Sequence, residues 1–166
     1  MKQDENAGDI QIQTPVERRG DRELVAKRTF NAPPNKVFRA WSQANIFQRW
    51  WVPRSATGVR LASCHMDVRT GGGYRLEFSA DQSETVAFHG KYLEVSPNER
   101  IVWTNDEGEA GAVTTVSFGD NGGKTLLTFQ EIYPSPEALD EALEGSAVAL
   151  PEQFDQLDEL LVIMDR

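Results

Sequence analysis

The sequence predicts an α+β domain in which a curved antiparallel sheet of about seven strands wraps around a long C-terminal helix, with two short helices after the first strand. Three observations predict it. From Val59 to Tyr133 apolar residues alternate with polar ones, and clusters of Gly, Pro, Asn and Asp punctuate the alternation. Before that stretch, from Pro34, and after it, from Pro151, the spacing changes to helical. Only the last segment is long enough to cover the apolar face of such a sheet, so the sheet is expected to curl around it.

Residues 1–20 read as a flexible tail, polar and marked by Gly8, Pro15 and Gly20, with 21–166 as a single domain. Within the tail Ile10 and Ile12 alternate as a short strand would. Arg22 to Phe30 is the first main strand, with Leu24, Ala26, Arg28 and Phe30 on one side. Ala32-Pro33-Pro34 ends it, because proline donates nothing to a ladder, and Pro34 suits the first position of a helix. Val37, Phe38 and Trp41 share that helix's face, and Ser42 can cap a second helix carrying Ile46, Phe47 and Trp50. Pro53 stops the pair.

Strands then run near Val59 to Val68, through Tyr74, Leu76 and Phe78, from Val86 to Val95, through Ile101 to Trp103, from Val113 to Phe118 and from Thr125 to Tyr133. Gly71-Gly72-Gly73, Pro97-Asn98 and Asn121-Gly122-Gly123 supply the turns between them. Ser135 can cap a short helix from Pro136 to Leu143. In the final helix Phe154, Leu157, Leu161 and Met164 recur on one stripe, widened by Leu160.

Charge narrows the function. From Glu131 onward ten acidic residues face one basic residue, which accounts for the whole net charge of −9. A chain without a positive field is not expected to bind nucleic acid. The acids read as a solvated helix face, with an acidic docking surface as the other reading. The longest apolar run, Leu160 to Met164, is far short of a membrane span, and no export signal is read. A single cysteine, Cys64, fits a reducing compartment such as the cytoplasm.

Several stretches together resemble the SRPBCC or START-like superfamily, and within it the branch related to the C-terminal domain of the heat-shock-protein ATPase activator. They are Phe30-Asn31-Ala32-Pro33-Pro34, Val37-Phe38, Ala40-Trp41, Arg49-Trp50-Trp51-Val52-Pro53, Asp67-Val68-Arg69 with Gly71-Gly72-Gly73-Tyr74, Phe88-His89-Gly90-Lys91-Tyr92 and Pro97-Asn98-Glu99-Arg100-Ile101-Val102-Trp103. Thr125 to Phe129 and Phe154-Asp155-Gln156-Leu157 complete the resemblance, which spans about Arg22 to Met164. It implies the helix-grip fold. It also implies functions that range from lipid and hormone binding to polyketide cyclisation and chaperone regulation. The chain departs from that branch where a Gly-Trp or Gly-Met pair commonly opens the long helix, for Ala149-Leu150-Pro151 stands there.

No metal site is expected: Cys64 and His65 are adjacent on a strand and point to opposite faces, and His89 is in phase with exterior residues. No nucleophile elbow is present, and Gly119 to Thr125 fails as a phosphate loop because a strand follows it rather than a helix. Asp67 and Arg69 read as an ion pair beside the glycine-rich turn. Glu131 shares its strand face with Leu127, Phe129 and Tyr133. Either it faces the interior, where a carboxylate is disfavoured as a charge and can act as acid, base or ligand contact, or the strand has emerged into solvent there. His65 either joins that interior or points outward. One of Trp50 and Trp51 should stand at a cavity mouth.

The expected function is therefore binding of a small, largely apolar or aromatic ligand between sheet and C-terminal helix. The expected lining is Trp50, Trp51, His65, Tyr74, Phe78, Phe88, Trp103, Phe129, Glu131, Phe154, Leu157 and Leu161. No cofactor and no catalytic residue is assigned, and the protein is expected as a monomer or homodimer. A chaperone ATPase-regulating module is the alternative, with a cyclase or hydrolase using Glu131 ranked behind it.

Overall fold

The computed structural model describes residues 14–80, 84–105 and 111–164; Ile10 and Ile12 lie outside them. Among the described residues, eight strands form one curved, unclosed antiparallel sheet in the order β1-β2-β8-β7-β6-β5-β4-β3. The strands are β1 (Val16–Arg19), β2 (Glu23–Phe30), β3 (Val59–Met66), β4 (Gly73–Ala80), β5 (Val86–Ser96), β6 (Arg100–Thr104), β7 (Val113–Asn121) and β8 (Lys124–Ile132). Helices α1 (Pro34–Ser42) and α2 (Ala44–Phe47) follow β2. Helix α3 (Pro136–Glu144), a 3-10 turn (Ser146–Ala149) and the long α4 (Leu150–Ile163) follow β8.

The sheet has one strand more than expected, and that strand falls in the segment read as tail. Val16–Arg19 pairs with β2 from Val16 opposite Ala26 to Arg19 opposite Glu23, through a turn in which Gly20 takes a φ of +74°. An edge strand needs only backbone pairing, so its polar residues give no alternating apolar signal. Ser42 is the last residue of α1 instead of a cap, and Gln43 stands at the junction of the two helices without a side-chain cap bond. Ser135 does cap α3, its Oγ accepting from the Ala138 amide at 3.1 Å.

The main hairpin closes as its sequence demands. Asn121 pairs with Lys124 around Gly122 and Gly123, both at positive φ. The turn before β4 needs glycine for another reason: a Cβ on Gly72 would lie 2.1 Å from the Asp67 carbonyl oxygen. The Asp67–Arg69 ion pair, 2.9 Å and exposed, flanks that turn.

The core lies between α4 and the β2-β8-β7 half of the sheet. Phe154 meets Phe30 at 5.8 Å and Phe129 at 6.2 Å between ring centroids, and Leu157 is fully buried. Arg28, on the inner side of β2 and only 4 % exposed, donates to Asp155 at 2.5 Å and Asp158 at 3.0 Å, while its guanidinium sits 5.4 Å from the Phe30 ring centroid. Glu159 takes Arg54 at 2.5 Å, and Glu152 accepts from the amide and hydroxyl of Ser55. The acidic side of α4 is thus largely occupied in fastening the helix to β2 and to the segment after α2, where a solvated face was expected.

Helix length decides what stays uncovered. Fourteen residues make a rod about 21 Å long and about 10 Å wide, whereas eight strands about 4.8 Å apart make an arc of about 34 Å. One such helix cannot cover the whole concave face, and the β3-β4-β5 portion is left for other side chains.

Candidate functional site

Over that uncovered portion lies a partly enclosed cavity of about 330 Å³. Tyr74, Leu76 and Phe78 of β4, Phe88 and Tyr92 of β5 and Trp103 of β6 form its floor, and Phe129, Glu131 and Tyr133 its far wall. Trp41 of α1, Phe47 of α2 and Trp51 form its roof, and Ala147, Ala149, Leu150 and Gln153 close the end where α4 begins. Aromatic rings dominate. Trp41 stands 6.0 Å from Trp103 and 6.3 Å from Phe129 between centroids, Trp51 stacks on Phe47 at 4.7 Å, and Phe78 meets Phe88 edge to face at 5.6 Å. Phe88, 40 % exposed, and the partly exposed Trp51 mark where the cavity reaches solvent.

Seven of the residues singled out from the sequence meet here: Trp51, Tyr74, Phe78, Phe88, Trp103, Phe129 and Glu131. Five do not. Trp50 is fully buried beneath the roof, its Nε1 donating to the Ala40 carbonyl at 3.0 Å. Of the two adjacent tryptophans it is therefore Trp51 that stands at the cavity. Phe154, Leu157 and Leu161 are at most 2 % exposed and belong to the solid core farther along α4. The space lies at the entry of the helix and not beneath its apolar stripe.

His65 points outward because the pairing of β3 with β4 slips between Leu61 and Ser63. Leu61 faces Phe78 across the ladder, but after the slip Cys64 and Met66 face Leu76 and Tyr74. A simple alternation from Leu61 would bring His65 inward; the bulge reverses the phase. His65 lies instead in a shallow outer depression with Asp67, Lys91 and His89. Among the described residues no group of three or more His, Cys, Asp or Glu could hold a metal ion. Burial pushes the Cys64 thiol up from its ordinary value, so it is no thiolate.

Polar groups cross the wall as one connected strip. The Tyr74 hydroxyl donates to the Thr104 carbonyl at 2.8 Å and to Asn105 Oδ1 at 3.0 Å, and Asn105 Nδ2 makes a long 3.4 Å contact with Thr114 Oγ1. Thr114 Oγ1 in turn donates to Glu131 Oε2 at 2.6 Å, and the Tyr133 hydroxyl donates to Glu131 Oε1. Of the two positions open to Glu131, the structure selects the inward one, half-buried and hydrogen-bonded. Burial, then the neighbouring Tyr74, hold the Tyr92 phenol far above its ordinary value, so it stays protonated.

A glycine makes this strip fit. A Cβ on Gly90 would lie 1.8 Å from the Thr104 carbonyl oxygen and 2.8 Å from the Tyr74 hydroxyl.

Residues 31–162 match the family described as activator of Hsp90 ATPase homolog 1-like proteins. The chain belongs to this family. A comparison with curated proteins gives no match. Among solved structures the chain is similar to a protein from Rhodobacter sphaeroides at a TM-score of 0.81 and 22% identity, over 92% of this chain and all of that one. It is also similar to a protein from Chromobacterium violaceum at a TM-score of 0.71 and 27% identity, over 84% and 96% of the two chains. An AHSA1-like protein from Aeromonas hydrophila superposes at 0.66 and 17% identity, over 84% and 92%. The architecture is the helix-grip fold of the START-like superfamily.

In this member of the activator-like family, the lining includes residues that sequence reasoning passed over. Tyr92 follows Phe88 in phase along β5, a signal that was present. Trp41 was placed only on the helix face that it shares with Val37 and Phe38. Gln153 and Gln156, neither of them assigned a role from the sequence, are both buried. Gln153 donates to the Trp51 carbonyl at 2.6 Å, and Gln156 bonds the carbonyls of Trp50 and Val52 and the amide of Arg54. They supply the partners that this stretch of backbone lacks after leaving α2, and so fix Trp51 over the cavity.

Proposed function

We propose that this protein binds a small, largely apolar or aromatic molecule in the cavity at the entry of α4. One observation carries the reading: about 330 Å³ of space enclosed mainly by aromatic and aliphatic side chains, with few polar groups converging on it. The half-buried, single thiol suits a reducing compartment such as the cytoplasm. A panel of one- and two-ring ligands tests the reading by thermal denaturation. A ligand at about a hundred times its Kd should raise Tm by on the order of 5 °C. Ala149→Phe places a ring inside the cavity wall and should remove that shift without lowering the Tm of the free protein. No shift with any ligand class, or a shift that survives Ala149→Phe unchanged, counts against it.

The family favours a second reading, a module that acts on an Hsp90-type chaperone ATPase. Much of the acidic side of α4 is already engaged with Arg28, Arg54 and Ser55, which leaves α3, with Glu137, Glu141 and Glu144, as the acidic surface to offer. Turnover of such an ATPase that stays constant when this protein is added would reject it. A hydrolase reading finds less support, since neither histidine of the chain lines the cavity to work beside Glu131.

A further inference from the structure

We infer that the ligand carries a hydroxyl or a ring N–H on its aromatic or apolar body and donates it to the side-chain carbonyl of Gln153. The inference rests on the ligand-binding reading above and names the polar group by which the cavity would choose among ligands.

Two glutamines close together on α4 are used differently. Gln156 engages its whole amide within the protein: Nε2 donates to the carbonyls of Trp50 and Val52, both at 2.9 Å, and Oε1 accepts from the Arg54 amide at 2.8 Å. Gln153 makes a single side-chain bond, from Nε2 to the Trp51 carbonyl at 2.6 Å. A carbonyl can only accept, so chemistry fixes which end of this amide faces Trp51: it is the nitrogen, and Oε1 is left over. Among the described residues nothing donates to that oxygen.

The surroundings of Gln153 give this oxygen its meaning. The residue is 6 % exposed and lines the cavity. Beside it Ala147, Ala149 and Leu150 close that end of the space and carry no polar side-chain atom. The strip along the far wall, by contrast, is bonded within the protein, Tyr74 to Thr104 and Asn105, and Thr114 and Tyr133 to Glu131. A buried amide oxygen is costly to leave without a donor, and here the donor has to come from whatever fills the cavity.

Discrimination follows from desolvation. An occupant that displaces water from Gln153 and brings no donor leaves Oε1 unpaired, whereas a phenol, an alcohol or an indole N–H satisfies it. The amide carries no charge, so a neutral donor suits it. The space, about 330 Å³, is at the small end for a ligand site and suits a body of one or two rings.

Calorimetric titration with 1-naphthol, 1-methoxynaphthalene and 1-methylnaphthalene tests the assignment, because the three share a ring system and only the first can donate. The wild type should bind the naphthol about tenfold more tightly than either of the others. Gln153→Met keeps the length of the side chain and removes its amide, so the preference should fall to within about threefold. Displacement of Trp51 alone would weaken all three ligands alike, so a naphthol preference that survives Gln153→Met would overturn the role of Gln153. Equal affinities in the wild type, or any order in which the naphthol is not the tightest, would overturn the donor assignment while leaving a ligand site intact. Binding of none of the three would remove the ligand site itself and the inference with it. Should Gln153→Met not fold, nuclear Overhauser contacts in the wild type decide: the ring protons flanking the hydroxyl should lie beside the Gln153 side-chain amide protons, and contacts from the far ring in their place would overturn the assignment.

Discussion

The two ends of α4 meet the sheet in different ways. From Phe154 onward Phe154, Leu157 and Leu161 are buried, Phe154 against the rings of Phe30 and Phe129, and Arg28 clamps the helix through Asp155 and Asp158. At its start Ala149, Leu150 and Gln153 border open space, and the rings opposite belong to β4, β5 and α2. One helix thus has a half that holds the fold together and an end that leaves room for chemistry. Stability and binding should separate along its length.

The largest expected effect is at the packed half. Leu157→Ala should cost about 2–5 kcal/mol in urea unfolding, because the fully buried site is walled by core that can collapse only partly. Ligand affinity per folded molecule should change little; a matching loss of affinity at low denaturant would mean that the two regions are not separate. At the hollow end, Gly90→Ala should cost less, about 1–3 kcal/mol. It should also weaken ligand binding, because the new Cβ displaces the Tyr74 hydroxyl and the Thr104 carbonyl from the cavity wall. Unchanged binding in that variant would detach the polar strip from the site.

The smallest effect belongs to the exposed Arg54–Glu159 pair. Its hydrogen bond and charge hold the Glu159 carboxyl below its usual 4.5. A lowered folded-state value means that the contribution is complete above about pH 4.5 and fades as pH falls through the lowered value. The Tm difference between wild type and Arg54→Gln should accordingly be small near neutrality, shrink further in acid, and diminish in high salt. A difference that grew on acidification would contradict the assignment.

Where sequence reasoning succeeded and where it did not follows the same division. Strands β4 and β8 were legible, with Tyr74, Phe78 and Phe129 on one face, because uninterrupted alternation preserves phase, whereas for Glu131 the alternation left both the interior and the solvent position open. His65 was not legible, because one slip in pairing after Leu61 inverts everything downstream. The stripe of α4 was legible as apolar, but not that it packs solid. Gln153 and Gln156 were given no role, because their burial depends on carbonyls of Trp50, Trp51 and Val52 more than a hundred residues earlier.

The sequence by itself determined the order of elements, the antiparallel pairing implied by short turns, the apolar stripe of α4 and the family to which the chain belongs. Those are local properties, set by the spacing of side chains and by glycine and proline at turns. Tertiary structure alone decided where the helix ends relative to the arc of the sheet, and so whether the aromatic residues fill a core or surround a space. That depends on lengths and angles between distant segments, which no window along the chain contains.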